Sequence, residues 1–428
     1  MSLALPQRAA PSAQAHALRL IHTGAICVVM VMAVGVFRKS PINLPMWLLL
    51  YSYFAMLVVA TPRPSLAMLR WNLAMFAYPL VCLASIVWSE LPRETLKNGV
   101  LIILTAMTAV HIGWHQRLAG LVGPLVVGLT VGLTASVLNI GGAFGDAYGW
   151  GGEFQGIFGH KNSLGQCAGV ALIVSAFLLL YPPRPKLVAL AAVAAMAMVA
   201  LVMLAMSRAA TATLITAGGF GLFLSLAAFN ISRLGRALVV VAAALVLSVL
   251  PMALVMLEVD LFGAILKAFE KNETLTGRTV VWDLGLYNIE RFFPLGTGYF
   301  GYWDNPAYTN EVMFIRLAYG DTVSSYHNVV VEVAAGMGVP GVIALALWVG
   351  VTFQRLILLV IRSRRARLPA REQALAILAL ALAAALFVQA LGTSSLFRHG
   401  ILSSLLFPLL GAAAMRELRD LRVRVAPR

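Results

Sequence analysis

Residues 187–207 read LVALAAVAAMAMVALVMLAMS, twenty-one consecutive positions without an ionisable side chain. A helix rises ~1.5 Å per residue, so ~20 such residues cover the ~30 Å hydrocarbon core of a bilayer. Backbone N–H and C=O groups cannot go unpaired in lipid, and a helix satisfies its own. Comparable stretches recur at 20–37, 40–62, 71–89, 98–116, 118–145, 162–183, 209–232, 237–257, 333–354, 373–397 and 399–415. The sequence therefore predicts an all-α polytopic membrane protein with twelve transmembrane helices. Composition agrees: 61% hydrophobic, 11% charged and a mean hydropathy of +0.88, against ~25% charged residues in soluble domains. That excludes a soluble multi-domain enzyme, a disordered tail protein and a secreted disulfide scaffold. Cys27, Cys82 and Cys167 lie inside apolar runs and read as buried thiols, neither bridged nor metal-bound.

The net charge of +15 invites a nucleic-acid reading, and its placement argues against one. With the N-terminus inside and alternating spans, the inner pieces are 1–19, 61–70, 115–117, 181–186, 230–236, 355–372 and 416–428. They hold 20 of the 32 Lys and Arg residues and only three acids, Glu372, Glu417 and Asp420. The outer side holds the other 12 bases and 14 acids, which follows the positive-inside rule. The basic runs at 362–367 and 416–428 are then topology determinants beside anionic lipid. The expected location is the bacterial inner membrane, with both termini cytoplasmic and the first span serving as its own signal-anchor.

One segment breaks the rhythm. Residues 258–326 form a long outer loop with nine acids, five bases and six of the eleven tyrosines. The expected organisation is thus 1–257 for nine helices with short loops, 258–326 for the large loop, and 327–428 for three helices and a basic tail. Long loops in compact architectures are usually functional. Its aromatic rings suit ordinary packing, an interface anchor or the apolar face of a sugar. The loop carries a literal G-x-G-x-x-G at 296–301. It lacks the strand and helix of a dinucleotide unit, so it reads as a glycine turn after Pro294. Residues 278–293 place Trp282, Leu286, Ile289 and Phe293 at helical spacing, which suits a helix lying in the interface.

Polar residues gather at the outer span ends. They are His160-Lys161-Asn162 in the Gly-rich approach to the sixth span, Ser207-Arg208 ending the seventh, Gly277-Arg278, and His327-Asn328 with Glu332 one turn on. An arginine at a helix end is commonly a snorkelling anchor. Ionisable groups at membrane depth mark function by default, and here they share one face.

Gly156-Ile-Phe-Gly-His-Lys-Asn-Ser-Leu-Gly165, Ser207-Arg208, Gly277-Arg278 with Trp282, Pro294-Leu-Gly-Thr-Gly298, and His327-Asn328 followed by Glu332, Gly336, Gly338 and Gly341 resemble, in this order, the O-antigen ligase and polysaccharide polymerase superfamily. The likeness spans roughly 150–345; the remaining helices match only in hydropathy. It implies a GT-C-type membrane glycosyltransferase. Such an enzyme takes a glycan from an undecaprenyl-diphosphate carrier on the periplasmic side and passes it to an acceptor glycan, with no metal or cofactor. By this resemblance Arg208 and Arg278 hold the donor diphosphate and His327 is the essential histidine. Lys161, Asn162, His160, Asn328, Trp282 and Glu332 fall in the expected substrate-binding set.

Elementary chemistry suits those roles. A diphosphate leaving group gains negative charge as the glycosidic bond breaks, and a permanently charged guanidinium fork stabilises it. The acceptor hydroxyl must lose a proton, which a neutral imidazole accepts near neutral pH. Attack opposite the leaving group inverts the anomeric centre. The ordinary structural reading of His327, a neighbour of a helix cap bonded to a loop carbonyl, stays open. So do His160 and Asn162 as mere organisers of the Gly-rich turn. The motif at 160–162 favours an exopolysaccharide polymerase over an O-antigen ligase acting on lipid A core. A twelve-span transporter or flippase is the third reading, weakened by the lack of two related halves.

Overall fold

The computed structural model of the protein describes residues 13–149, 152–228, 278–319 and 323–425. The expected ninth span at 237–257, the first part of the long loop at 258–277 with Gly277, and the end of the eighth span lie outside the described residues. Within them the chain is helical, with one isolated bridge between Tyr148 and Phe154 and no strand. In order the helices are α1 (Ala13–Val34), α2 (Asn43–Ala60), α3 (Pro62–Asn72), α4 (Ala77–Ala84), α5 (Pro92–His115), α6 (Leu118–Leu138), α7 (Lys161–Leu180), α8 (Lys186–Ser207), α9 (Ala210–Ala228), α10 (Arg278–Arg291), α11 (Thr309–Tyr319), α12 (Val329–Arg365), α13 (Ala370–Ala390) and α14 (Leu402–Val425). Eight of these are long and apolar enough to cross a membrane, or nine if the bent stretch 62–87 is one crossing. The chain is a multi-pass membrane protein.

Apolar residues all round a helix let it be buried or face lipid, and both occur. The α7 and α13 spans are mostly enclosed by their neighbours, whereas α2 and α8 expose Leu49, Val59, Leu187 and Val188. Such a belt is uncovered only in the absence of hydrocarbon.

Two breaks shape the bundle, and each is satisfied by a named partner. The stretch 62–87 leaves the α-helix after Asn72 and bends by 75° between Met75 and Ala77, which frees carbonyls that lipid cannot hydrate. Arg355 of α12 supplies the donors: Nη2 reaches Trp71 O at 2.7 Å, and Nη1 reaches Asn72 Oδ1 at 2.8 Å and Gly411 O at 3.3 Å. Arg355 is 8% exposed. The sequence reading opened an inner loop at 355. Instead α12 continues to Arg365, the turn to α13 is only residues 366–369, and Arg355 is an interior staple.

The second break is at Gly338 in α12, where φ is 56° and ψ −149°. Pro340 has no N–H to give the carbonyl four residues back, and Gly298 N donates to that Gly336 O at 2.6 Å. Val339 N turns to Pro294 O at 2.9 Å, and Thr297 N caps Ala335 O at 3.1 Å. The Pro294–Gly298 strap thus replaces the helix's own bonds across the break. A Cβ on Gly296, whose φ is +74°, would stand 2.6 Å from Ala335 O. The glycine-turn reading of 296–301 describes this strap, whose Thr297 and Gly298 N–H groups go to carbonyls of the broken helix.

The described part of the long loop is built around buried rings. Tyr302, Trp303, Tyr308 and Tyr326 are each under 8% exposed, and Tyr302 stacks on Tyr308 with ring centroids 4.9 Å apart. These aromatics form a small core and are not a sugar-stacking platform. The 278–293 piece is α10 and its continuation. Val281 and Asn288 face inward while Leu286 and Phe293 are exposed, which leaves an apolar outer side.

Candidate active site

At one end of the bundle four segments remote in sequence converge: the α1–α2 loop at 35–42, the turn leading into the start of α7, residues 323–328, and the α13–α14 loop at 391–401. They enclose a cavity of about 370 Å3, lined among others by Arg38, Lys39, His160, Asn162, Ser163, Gln166, Ser324, Ser325, His327, Gln389 and Arg398. Its size suits a small ligand or one or two sugar rings, since such sites span ~300–1,000 Å3.

His327 stands on the wall with φ 53°, the left-handed region. A non-glycine residue there costs ~1–3 kcal/mol and persists only where its surroundings hold it. Both flanks are pinned. Before it, Tyr326 N donates to Glu332 Oε2 at 2.7 Å, and Arg398 Nη2 donates to Ser324 O at 3.0 Å and to Ser324 Oγ at 2.9 Å. After it, Asn328 caps α12, its Oδ1 accepting from Val330 N at 2.9 Å.

Glu332 belongs to this scaffold. It is 4% exposed, and beyond Tyr326 N it accepts from Trp303 Nε1 at 3.1 Å and Ser394 Oγ at 3.2 Å. Both carboxylate oxygens are occupied by protein donors, the contacts of a positioning residue. Replacing Glu332 with Gln puts an amide NH2 where two donors converge. We expect kcat to fall roughly ten- to a hundredfold, the worth of one or two lost buried bonds, with KM little changed. Glu332→Asp should recover part of the loss. An unaltered kcat in a folded Glu332→Gln protein contradicts the positioning role.

The remaining predicted residues divide. His160 lines the cavity and caps α7, its Nδ1 accepting from Asn162 N at 3.1 Å. Asn162 also lines the cavity, and its carbonyl accepts from Gln389 Nε2 at 3.4 Å, tying α7 to α13. Lys161 pairs with Glu153 at 3.2 Å in the preceding turn, so part of its charge is compensated within the protein. Asn328 spends its side-chain oxygen on the cap. Arg208 is the left-handed C-cap of α8, φ 48° and exposed. Its neighbour Ser207 seats on the second turn of α7, where a Cβ on Gly165 would come within 3.1 Å of Ala209 Cβ. Arg208 therefore stands beside the α7 start, yet it is not on the cavity wall.

Arg278 is the first residue of α10, and its side chain lies outside the description. That helix is fastened next to His327, because Asn288 Nδ2 donates to Tyr326 Oη at 2.9 Å. Trp282, on the same helix, has an indole N–H without a hydrogen-bond partner among the described residues.

Sequence reasoning missed Arg38, Lys39 and Arg398. The signal is placement: all three sit in loops that the charge count assigns to the outer side, where the positive-inside bias leaves few unexplained cations. Next to them, burial first and then Lys97, Arg398 and Arg38 hold the His399 imidazole down to about 4.

Two comparisons bear on this site. A family model described as O-antigen ligase (Wzy_C) matches residues 193–346, the stretch that carries Arg208, Arg278, His327 and Glu332. The exopolysaccharide production protein ExoQ of Rhizobium meliloti (strain 1021) is 28% identical over 300 residues, covering 69% of this chain and 68% of that protein. The chain is thus similar to the O-antigen ligase family over residues 193–346 and to an exopolysaccharide production protein over 300 residues, which agrees with the motif order.

Proposed function

We propose that this protein is a periplasm-facing glycosyltransferase that takes a glycan from an undecaprenyl-diphosphate carrier and joins it to an acceptor sugar hydroxyl, polymerising exopolysaccharide or O-antigen repeats. The observation that carries the reading is His327, held in a left-handed turn on the wall of a polar, cationic cavity. In this reading the cavity end of the bundle is periplasmic, the chain makes twelve crossings of GT-C type, and the domain plan at 1–257, 258–326 and 327–428 holds. The neutral His327 imidazole accepts the proton of the attacking hydroxyl. The hydroxyl oxygen forms a bond to the anomeric carbon as the bond to the diphosphate oxygen breaks. Arg208 and Arg278 neutralise the departing diphosphate, so charge stabilisation is assigned to guanidinium groups and no step to a metal ion.

Likeness to an exopolysaccharide production protein favours polymerisation; the family description favours the second reading, an O-antigen ligase that passes the glycan to lipid A core. The test is incubation of the purified protein with a carrier-linked repeat alone, and then with lipid A core added. Polymerisation predicts oligomers on the carrier in the first incubation. Product appearing only after lipid A core is added overturns polymerisation in favour of ligation.

A further inference from the structure

The cavity holds more positive charge than a neutral sugar needs. Arg38, Lys39 and Arg398 all line it, and among the described residues no Asp or Glu does. None of the three forms a salt bridge among the described residues. Arg38 Nη1 rests 3.5 Å from Ser163 Oγ, Arg398 holds Ser324, and the Lys39 ammonium lies 2.8 Å from where a Cβ on Gly159 would project. Glu332 is the acid that acts on Arg398, and its oxygens are already occupied. Arg38 is exposed on the cavity wall, and desolvation by the surrounding protein and then Arg398 lower its pKa. Grouped, partly desolvated cations repel and lose hydration, a cost that an entering anion removes.

The trio is distinct from the arginine assigned to the carrier diphosphate at α8: Arg38, Lys39 and Arg398 line the cavity and Arg208 does not. The rest of the wall is hydroxyl and amide, with Ser163, Gln166, Ser324, Ser325, Gln389 and Thr393. That mixture suits sugar hydroxyls beside one charged group. We propose that Arg38, Lys39 and Arg398 form a subsite for a carboxylate carried by the glycan, so that the protein selects acidic repeats. The carboxylate belongs to a uronic acid ring or to an acidic acyl or ketal substituent; the recognition chemistry is the same.

This rests on the proposed glycosyl transfer, and a binding measurement separates the two. Full-length protein in lipid nanodiscs is titrated with a tetrasaccharide containing glucuronic acid, and with the same tetrasaccharide after its carboxyl is reduced to an alcohol. The acidic form should bind at least about tenfold more tightly, with the preference shrinking in high salt. The double variant Arg38→Gln, Lys39→Gln, which leaves the Arg398–Ser324 bonds in place, should remove most of the preference while retaining the wild-type melting profile. Lys39→Gln alone, on an exposed loop, serves as the milder variant should the double variant misfold. Equal binding of the two tetrasaccharides overturns the subsite, as does an equal loss of affinity for undecaprenyl diphosphate bearing no glycan. Transfer of a carboxyl-reduced repeat at the acidic repeat's rate also overturns it, leaving the transferase reading intact. A carboxylate preference without any transfer supports the subsite and contradicts the transferase.

Discussion

Replacing His327 with Ala should lower turnover by ~10²–10⁴-fold, the usual worth of a general base. The folded protein and its carrier-lipid affinity should survive. His327 projects from a turn whose backbone is held by Glu332, Arg398 and the Asn328 cap, and none of those bonds uses the imidazole. Alanine in a left-handed position costs little more than histidine there, so the change should remove chemistry and leave architecture. The base must be neutral to accept a proton. Protonating it on acidification should therefore lower activity, and His327→Ala should remove that dependence from whatever activity remains. A purely structural His327 predicts the opposite: lower yield or an altered melting profile, with binding and turnover lost together.

Arg278→Lys should cost nearly as much, ~10²–10³-fold in kcat, although the charge is kept. An ammonium is a point charge and cannot fork onto two diphosphate oxygens. Arg208→Ala should act partly through binding, because it removes a cation from the donor's ground state as well as from the transition state. The diagnostic comparison is kcat against KM for the two variants, with chelator-treated wild type retaining full activity. Chelator-sensitive activity would replace the guanidinium account with one that needs a metal ion.

Much of this molecule was legible as hydropathy. Charge-free runs of twenty residues can satisfy lipid only as helices, so the spans at 43–60, 118–138, 161–180, 186–207 and 370–390 read directly. The breaks were less legible. The sequence reading made 61–70 an inner piece and 71–89 one span; 62–72 is helix instead, and only the Arg355 contacts show how the 75° bend within 62–87 is accommodated. The motif at 294–298 pointed toward the site by resemblance. Its physical task, supplying N–H groups to carbonyls stranded by Gly338 and Pro340, depends on a contact forty residues away that no local pattern encodes. The partners of Glu332 were hidden for the same reason: Trp303, Tyr326 and Ser394 close on it only in three dimensions. Arg38, Lys39 and Arg398 come from opposite ends of the chain. Only tertiary structure makes them neighbours.

The central claim is that each new glycosidic bond is made by displacing the carrier diphosphate. The most direct measurement counts undecaprenyl diphosphate released by purified protein supplied with carrier-linked repeats, alongside the bonds formed in the product. One diphosphate released for each bond formed, with both falling together in His327→Ala, is the predicted result. Carrier-linked repeats that cross the bilayer intact, with no diphosphate released and no bond formed, would contradict it.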